Sequence, residues 1–98
     1  MDSITTWLAA AMDECGAWDA IPGPAGLLAG RIAGLVAAWR DATAYVVAVS
    51  DETGLGIVPE TAAGRMFRDE LGRLNQLLAA ESDEVIMVVA GRTVFLSG

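Results

Sequence analysis

The pattern of apolar and polar positions divides the chain into three helical segments and two continuous apolar runs. Apolar residues recur at helical spacing from Asp2 to about Glu14, from Ala25 to Arg40 and from about Glu60 to Ala80. The runs Tyr45–Ser50 and Val85–Ala90 contain almost no polar residue. Continuous apolar runs are typical of strands that are covered on both faces, as in parallel sheets. The pattern therefore predicts three helices and two buried strands.

Glycine and proline mark the connections between these segments. Residues 16–24 include Gly16, Pro22, Gly23 and Pro24 and predict a loop. Gly91-Arg92 predicts a turn, and Thr93–Leu96 a short strand that pairs antiparallel at the sheet edge. The order strand, helix, strand from residue 45 to residue 90 predicts a right-handed βαβ unit. The predicted fold class is α/β.

Helical periodicity also predicts which side chains form the core. In the first two helices the apolar face comprises Trp7, Leu8, Ala11, Met12, Leu28, Ile32, Leu35 and Trp39. In the third helix, at about 100° per residue, the apolar face comprises Ala63, Met66, Phe67, Leu71, Leu74, Leu77 and Leu78. Its polar face comprises Thr61, Arg65, Arg68, Gly72, Asn75 and Gln76. Ser3, Thr5 or Thr6 is expected to cap the first helix.

The segment between the first apolar run and the third helix carries the clearest chemical signal. Residues 51–59 read Asp-Glu-Thr-Gly-Leu-Gly-Ile-Val-Pro. Ligands of open parallel sheets bind beyond the carboxyl ends of the strands, and glycine lets the backbone approach a ligand closely. We therefore predict an active-site loop in which Glu52 holds a Mg²⁺-bound water or accepts a hydrogen bond from a nucleotide or substrate hydroxyl. The alternative role of Glu52 is to cap N–H groups in the turn at Gly54 and Gly56.

With its flanks, this loop resembles the bifunctional adenosylcobinamide kinase / adenosylcobinamide-phosphate guanylyltransferase family of cobalamin biosynthesis. The family's loop is Asn-Glu-Val-Gly-x-Gly-Ile-Val-Pro-Glu-Asn, followed by Arg-x-Phe-Arg-Asp and Gly-Arg-x-Asn-Gln. Residues 65–69 and 72–76 carry the last two motifs. Residues 2–8, Asp-Ser-Ile-Thr-Thr-Trp-Leu, resemble the end of the family's Walker-B-type segment. The resemblance runs over nearly all of the chain and covers the C-terminal part of the family's enzyme.

The resemblance implies a fold, a reaction and a set of binding residues. The fold is the C-terminal portion of a P-loop-type, mostly parallel sheet flanked by helices, with residues 1–98 as a single partial domain. The complete enzyme phosphorylates adenosylcobinamide with a nucleoside triphosphate, GTP or ATP, with Mg²⁺. It then transfers GMP from GTP to give adenosylcobinamide-GDP. Asp2 takes the Walker-B role of nucleotide or Mg²⁺ binding. The residues implied for substrate or phosphate binding are Glu52, Gly54, Gly56, Arg65, Arg68 and Asn75.

Several family features differ or are not found in this sequence. Asp51, Thr53 and Thr61 replace the usual Asn, Val and Asn, and the first change puts a charge where an amide would donate. The family's P-loop, Gly-x-x-x-x-Gly-Lys-Ser, needs its lysine to reach the phosphates, and its GMP-carrying histidine needs an imidazole. This sequence has no histidine, and its six basic residues are all arginine. We therefore expect the chain alone to have neither activity.

Some of these residues also have plain structural interpretations. Three roles are open for Arg65 and Arg68: they hold phosphate oxygens bidentately, they pair with carboxylates, or they belong to a solvated helix face. Trp7, Trp18 and Trp39 are candidates for stacking on a base or corrin ring, although Trp7 and Trp39 lie on apolar helix faces and are expected in the core.

Composition and net charge limit the remaining possibilities for the size of the fold, the binding partners and the location of the protein. The chain is 54% hydrophobic with a mean hydropathy of +0.47, which indicates either a sheet that extends beyond this sequence or a small Ala- and Val-rich globule. The net charge of −7 opposes binding to nucleic acid or an anionic membrane. Uncharged runs stay below the roughly 18 residues of a membrane span, and Met1-Asp2 lacks a basic leader region. Cys15, expected as a small helix-end residue, is the one cysteine and fits the reducing cytoplasm.

Two other interpretations stay open beside the C-terminal part of a homo-oligomeric enzyme. In the first, the chain is a non-catalytic binding or regulatory remnant that docks on a partner protein through an apolar sheet face. Alternatively, Met1 is an internal start, and the coding sequence continues upstream into the rest of a normal enzyme.

Overall fold

A computed structural model of the chain describes residues 1–15, 24–52 and 61–97. Three helices are followed by a hairpin: α1 (Ile4–Cys15), α2 (Pro24–Asp41), α3 (Ala62–Ala80), β1 (Val85–Val89) and β2 (Arg92–Ser97). The helices and both hairpin strands lie within about two residues of their predicted bounds. The α/β class is confirmed.

Local side-chain chemistry sets where the helices begin. Ser3 caps α1, since its hydroxyl accepts from the backbone N–H of Thr6 at 3.1 Å. Of the three predicted caps, Ser3 is the one that takes the role. Thr61 caps α3 by accepting from the N–H of Gly64 at 3.0 Å, and a proline begins α2, where its lack of an N–H costs nothing. Threonine at position 61 thus does the capping that an asparagine would also do.

One face of each helix forms a shared core. Its buried members are Ile4, Leu8, Ala11, Met12, Leu28, Ile32, Leu71, Leu74 and Leu78. Trp7, Leu35, Trp39, Met66 and Phe67 pack against it in partly buried positions. The predicted core is largely confirmed, including core packing for the two tryptophans; Trp18 lies outside the described residues.

Leu77 is the exception on α3. Its side chain is 38% exposed, although helical spacing predicts it in the core. Leu77 lines an open groove of about 250 Å³ between α2 and α3 together with Leu28, Ile32, Met66, Glu70 and Arg73. The prediction is wrong because the two helices do not close over this side chain.

β1 and β2 form an antiparallel hairpin, as predicted for the C-terminal strand. Val89 pairs with Arg92 across a two-residue turn. Ala90 and Gly91 both have positive φ, 52° and 75°, which is the pattern of a type I′ hairpin turn. The turn therefore lies one residue earlier than predicted.

The prediction of a buried strand at Tyr45–Ser50 is wrong. This segment is extended but makes one parallel bridge, between Val49 and Asp2. Among the described residues, only Met1 and Ile4 make backbone hydrogen bonds to this segment, which is too few for a ladder. Side chains on both faces are exposed, with Val46 at 42% and Val47 at 58%.

The βαβ unit is also not formed. β1 pairs with β2 in a two-stranded sheet and leaves its other edge without a described partner. The prediction that β1 is buried on both faces is likewise wrong, since Val88 is 65% exposed. The described residues thus contain an antiparallel hairpin and one parallel bridge, and a P-loop-type parallel sheet stays a prediction, as does a single partial domain over residues 1–98. Within the described ranges, no helix has the length and apolarity that a membrane span requires.

Candidate functional site

The candidate site lies where the start of the chain meets the end of the extended segment. The backbone N–H of Val49 donates to the carbonyl of Met1 at 2.9 Å, and the N–H of Ile4 donates to the carbonyl of Val49 at 2.7 Å. The amino terminus of Met1 also donates to the carbonyl of Val47. Because this pairing is parallel, Asp2 lies beside the carboxyl end of the extended segment, next to the point where Ser50 and Asp51 leave it.

A hydrogen-bond network then fixes residues 50 and 51 between two helices. From α1, the hydroxyl of Thr5 donates to Asp51 Oδ2 at 2.7 Å and accepts from the Asp51 N–H at 3.2 Å. From α3, Asn75 Nδ2 donates to the Asp51 carbonyl at 3.0 Å. The hydroxyl of Ser50 donates to Asn75 Oδ1 at 2.6 Å. Helices α1 and α3 thereby hold the backbone just before the predicted active-site loop.

This network gives Asn75 and Asp51 positioning roles. Both ends of the Asn75 amide are engaged with residues 50 and 51, so binding of substrate or phosphate by Asn75 stays a prediction that must accommodate these bonds. The Asp51 carboxylate acts as an acceptor from Thr5, a role that either an aspartate or an asparagine oxygen fills.

Sequence analysis missed Thr5 and Ser50 as members of the site. The sequence predicts Thr5 only as a helix cap and Ser50 only as the end of a strand. Their partners lie 46 and 25 residues away along the chain, and no local pattern signals such pairs. One sequence feature indicates these residues: Ser50 and Asp51 lie at the end of a predicted strand, and such an end faces the start of a helix.

The acidic loop is described only at its beginning. Glu52 is exposed and ends the described range. Gly54, Gly56 and Thr53 lie outside the described residues, so the loop conformation stays a prediction. Glu52 has interactions within the structure, and its ligand role is likewise a prediction.

The two predicted phosphate-binding arginines lie in the first two turns of α3, at the end that follows the loop. Arg65 is exposed and has an interaction partner. The Arg68 side chain is 26% exposed, and its guanidinium lies 3.6 Å from the carboxylate of Asp69. A pair this open to water contributes little to stability, so it would not prevent Arg68 from binding an anion.

The described residues are compatible with a Mg²⁺ ion that takes most of its ligands from water and substrate phosphates. Among residues 1–15, 24–52 and 61–97, no three His, Cys, Asp or Glu side chains converge as a metal site. Mg²⁺ is commonly held by one or two carboxylates together with water and substrate phosphates. Asp2 is exposed and supplies a carboxylate oxygen of the required kind, so it fits such an ion; its role remains a prediction.

A wide trough adjoins this site. It has a volume of about 1160 Å³ and lies between the extended segment on one side and β1 on the other. Apolar side chains line it, among them Val46, Val47, Ile86 and Val88. Carboxylates line it as well: Asp51, Glu52, Glu81, Asp83 and Glu84.

The arginine in the lining of the trough is Arg40. Its guanidinium donates to Asp41 at 3.2 Å, and this hydrogen bond, with the charge of the carboxylate, raises the pKa of Arg40 above its ordinary value. Because Arg40 already faces Asp41, the described wall of the trough is acidic overall.

Comparison with known proteins decides the family. The family model described as cobinamide kinase / cobinamide phosphate guanyltransferase matches residues 1–96. The chain belongs to this family. The match covers Asp2, the Asp51–Glu52 pair and the whole of α3.

Individual relatives agree with the family match. The bifunctional adenosylcobalamin biosynthesis protein CobU of Salmonella typhimurium is 54% identical over 57 residues, which is 58% of this chain and 32% of that protein. The Escherichia coli protein of the same description is 52% identical over 61 residues, 62% of this chain and 34% of that protein. The protein CobP of Pseudomonas aeruginosa is 42% identical over 53 residues. The matched segments thus span about a third of the length of these curated relatives.

Proposed function

We propose that this chain is the C-terminal part of an adenosylcobinamide kinase / adenosylcobinamide-phosphate guanylyltransferase of cobalamin biosynthesis. The observation that carries the proposal is the parallel pairing of Asp2 with Val49 in a chain that belongs to the family. This pairing brings an acid at the end of one segment beside the acidic loop at the end of the next. Such an edge, beyond the carboxyl ends of parallel strands, is where α/β enzymes bind nucleotides.

Each described residue of the candidate site has a proposed task in phosphoryl and guanylyl transfer. Asp2 orients a Mg²⁺ ion, which when bound neutralises charge on the phosphates. Glu52 holds the water on that ion or accepts a hydrogen bond from the substrate hydroxyl. Arg65 and Arg68 hold phosphate oxygens from the start of α3. Thr5 and Asn75 hold the backbone at residue 51, so that Glu52 is presented in a fixed direction.

In this proposal, the kinase and guanylyltransferase activities are those of the complete enzyme and not of this chain alone. The reaction needs a phosphate-binding lysine and a GMP-accepting histidine, and this sequence contains neither residue type. ATP or GTP and adenosylcobinamide are therefore substrates of the complete protein, which we propose to be a cytoplasmic homo-oligomer with a P-loop-type parallel sheet.

A chimeric enzyme tests this function directly. The Escherichia coli relative would carry residues 1–96 of this chain in place of the segment that the family model aligns with them, and kinase and guanylyltransferase rates would be measured. We expect both activities to be retained. Asp2→Asn and Glu52→Gln are each expected to lower kcat/KM, by about 10- to 100-fold for a residue that orients a metal and by about 10²- to 10⁴-fold for an acid–base group.

Asp13→Asn is the matched control, because Asp13 is an exposed acid on α1 with no proposed role. Its chimera should keep the unsubstituted rate. A folded chimera with neither activity, or equal rates in all three variants, would contradict the proposal.

The second candidate function is a non-catalytic binding remnant. The exposed apolar side chains of the extended segment and the hairpin favour it, since such surfaces usually mark interfaces. This function predicts that the chain binds a partner protein while the chimera stays inactive, so the same experiment separates the two.

A further inference from the structure

Ser50 has no task in the function proposed above, although it belongs to the hydrogen-bond network that precedes the acidic loop. Its side chain is exposed, and its hydroxyl donates to Asn75 Oδ1 at 2.6 Å. The other end of the same amide, Asn75 Nδ2, donates to the carbonyl of Asp51 at 3.0 Å. Ser50 therefore contacts a side chain that joins the start of the loop to α3.

The chemistry of the partners fixes the direction of these two hydrogen bonds. A backbone carbonyl only accepts, so the atom that faces the Asp51 carbonyl must be the amide nitrogen of Asn75. The amide oxygen then faces Ser50, and the Ser50 hydroxyl must donate to it. The terminal torsion of an asparagine side chain has broad preferences, so a hydrogen bond at each end of the amide is what holds its plane.

The held amide fixes the direction in which the chain enters Glu52. The carbonyl of Asp51 lies in the planar peptide group that joins Asp51 to Glu52, and Asn75 holds this group from α3. The N–H of Asp51 lies in the preceding peptide group, which Thr5 holds from α1 at 3.2 Å. The peptide groups on the two sides of Asp51 are thus held by different helices, and the position of Glu52 depends on both.

We propose that Ser50 is a positioning residue that holds the Asn75 amide and, through it, the peptide plane from which Glu52 extends. Ser50 acts through Glu52 and does not touch the substrate. The inference rests on the proposed function, since Ser50 affects the rate only if Glu52 takes part in the reaction. It also accounts for a hydroxyl at the end of an apolar segment, because an apolar side chain at this position could not donate to the amide.

The strength of one hydrogen bond sets the size of the effect. A neutral hydrogen bond has a net value that corresponds to a factor of about 2 to 12 in an equilibrium constant. Because Ser50 is exposed, water replaces part of a lost bond. Removal of the hydroxyl should therefore lower the fraction of molecules with Glu52 in its working position by about 3- to 10-fold, and the rate follows that fraction.

Single substitutions in the chimera described above test this role, with rates expressed per folded molecule. Ser50→Ala should lower kcat/KM by about 3- to 10-fold. Ser50→Thr keeps a hydroxyl on a residue suited to extended backbone and should stay within about twofold of the unsubstituted chimera. Thr43→Ala is the matched control, since Thr43 is an exposed hydroxyl residue of the same segment outside the network. Equal kcat/KM for Ser50→Ala and Thr43→Ala would overturn the proposal.

Double variants show whether Ser50 acts through its neighbours. In the Glu52→Gln chimera, Ser50→Ala should cause no further loss, because the group that Ser50 positions has already lost its function. The Asn75→Ala chimera should respond in the same way, since the amide that Ser50 holds is then absent. The full loss from Ser50→Ala in either background would show that Ser50 acts independently of that partner and would overturn the positioning role.

A spectroscopic readout separates this inference from the proposed function. In proton NMR of the full chain, the Asn75 side-chain proton that is donated to the Asp51 carbonyl should lie at lower field than a free amide proton. Ser50→Ala should move this signal toward the free position, and Thr43→Ala should not. A moved signal together with an inactive unsubstituted chimera would support the role of Ser50 and count against the function. An active chimera and an unmoved signal would do the reverse.

Discussion

At the residue scale, Asn75 joins residues 50 and 51 of the site to α3 through hydrogen bonds. Its amide joins Ser50 and the Asp51 backbone to α3, while Thr5 joins Asp51 to α1. Family resemblance pointed to Asn75, but its partners could not be predicted from sequence. Hydrogen bonds between residues 24 to 46 positions apart depend on the packing of whole helices, and helical periodicity contains no information about them.

Replacing Asn75 should loosen the extended segment. Asn75→Ala removes two hydrogen bonds, each with a net value of about 1 kcal/mol, so the free energy of unfolding should fall by about 1–2 kcal/mol in a urea titration. Gln76→Ala is the matched control, since Gln76 is exposed on the same helix and surface changes usually stay within about 0.5 kcal/mol. Equal losses for the two variants would show that the Asn75 bonds do not stabilise the fold.

At the element scale, the sequence predicts the three helices and the C-terminal hairpin correctly, whereas the predicted strand at residues 45–50 and its βαβ unit are not formed. A helix satisfies its own backbone and needs only one apolar face, which the spacing of Leu71, Leu74 and Leu78 shows directly. A strand depends on a neighbour, and the sequence of Tyr45–Ser50 does not say whether one is present. The exposure of Leu77 has a similar origin, since it depends on how closely α2 approaches α3.

Leu74 and Leu77 give a direct test of the α3 packing. Leu74→Ala should lower the free energy of unfolding by about 2–5 kcal/mol, because Leu74 is fully buried and its removal leaves a cavity. Leu77→Ala should cost about 1 kcal/mol or less, because this side chain already contacts water in the open groove. Thermal or urea unfolding measures both. A larger loss for Leu77 than for Leu74 would mean that α3 packs with a different face.

The hairpin turn offers a stabilising change. Ala90 has a φ of 52°, a conformation that costs an ordinary L residue about 1–2 kcal/mol and that asparagine visits more readily. Ala90→Asn creates the Asn-Gly pair favoured in type I′ turns and should raise stability by up to about 1 kcal/mol.

Gly91→Ala serves as the opposite control for this turn. It places a β-carbon on a residue with a φ of 75° and should lower stability by a similar amount. If both variants unfold at the midpoint of the unsubstituted chain, the turn does not have positive φ at these two positions.

At the scale of the whole molecule, the chain is flatter and wider than a compact domain of its length. Its Cα radius of gyration is 14.1 Å and its extents are 39 × 33 × 18 Å, whereas a compact domain of this length has a radius of gyration of about 12.6 Å. The trough between the extended segment and β1 accounts for part of this width. The apolar excess in the sequence, which indicated a larger sheet, corresponds to side chains exposed along these two segments.

We propose that this chain forms an active cobinamide kinase / guanylyltransferase together with the remaining portion of the enzyme. Phosphorylation of adenosylcobinamide would be measured for three samples: the chain, the portion of the Escherichia coli relative that precedes or follows the counterpart of residues 1–96, and their mixture. We expect activity in the mixture and none in either part. Activity in the chain alone, or a mixture that forms a stable complex and stays inactive, would contradict the account.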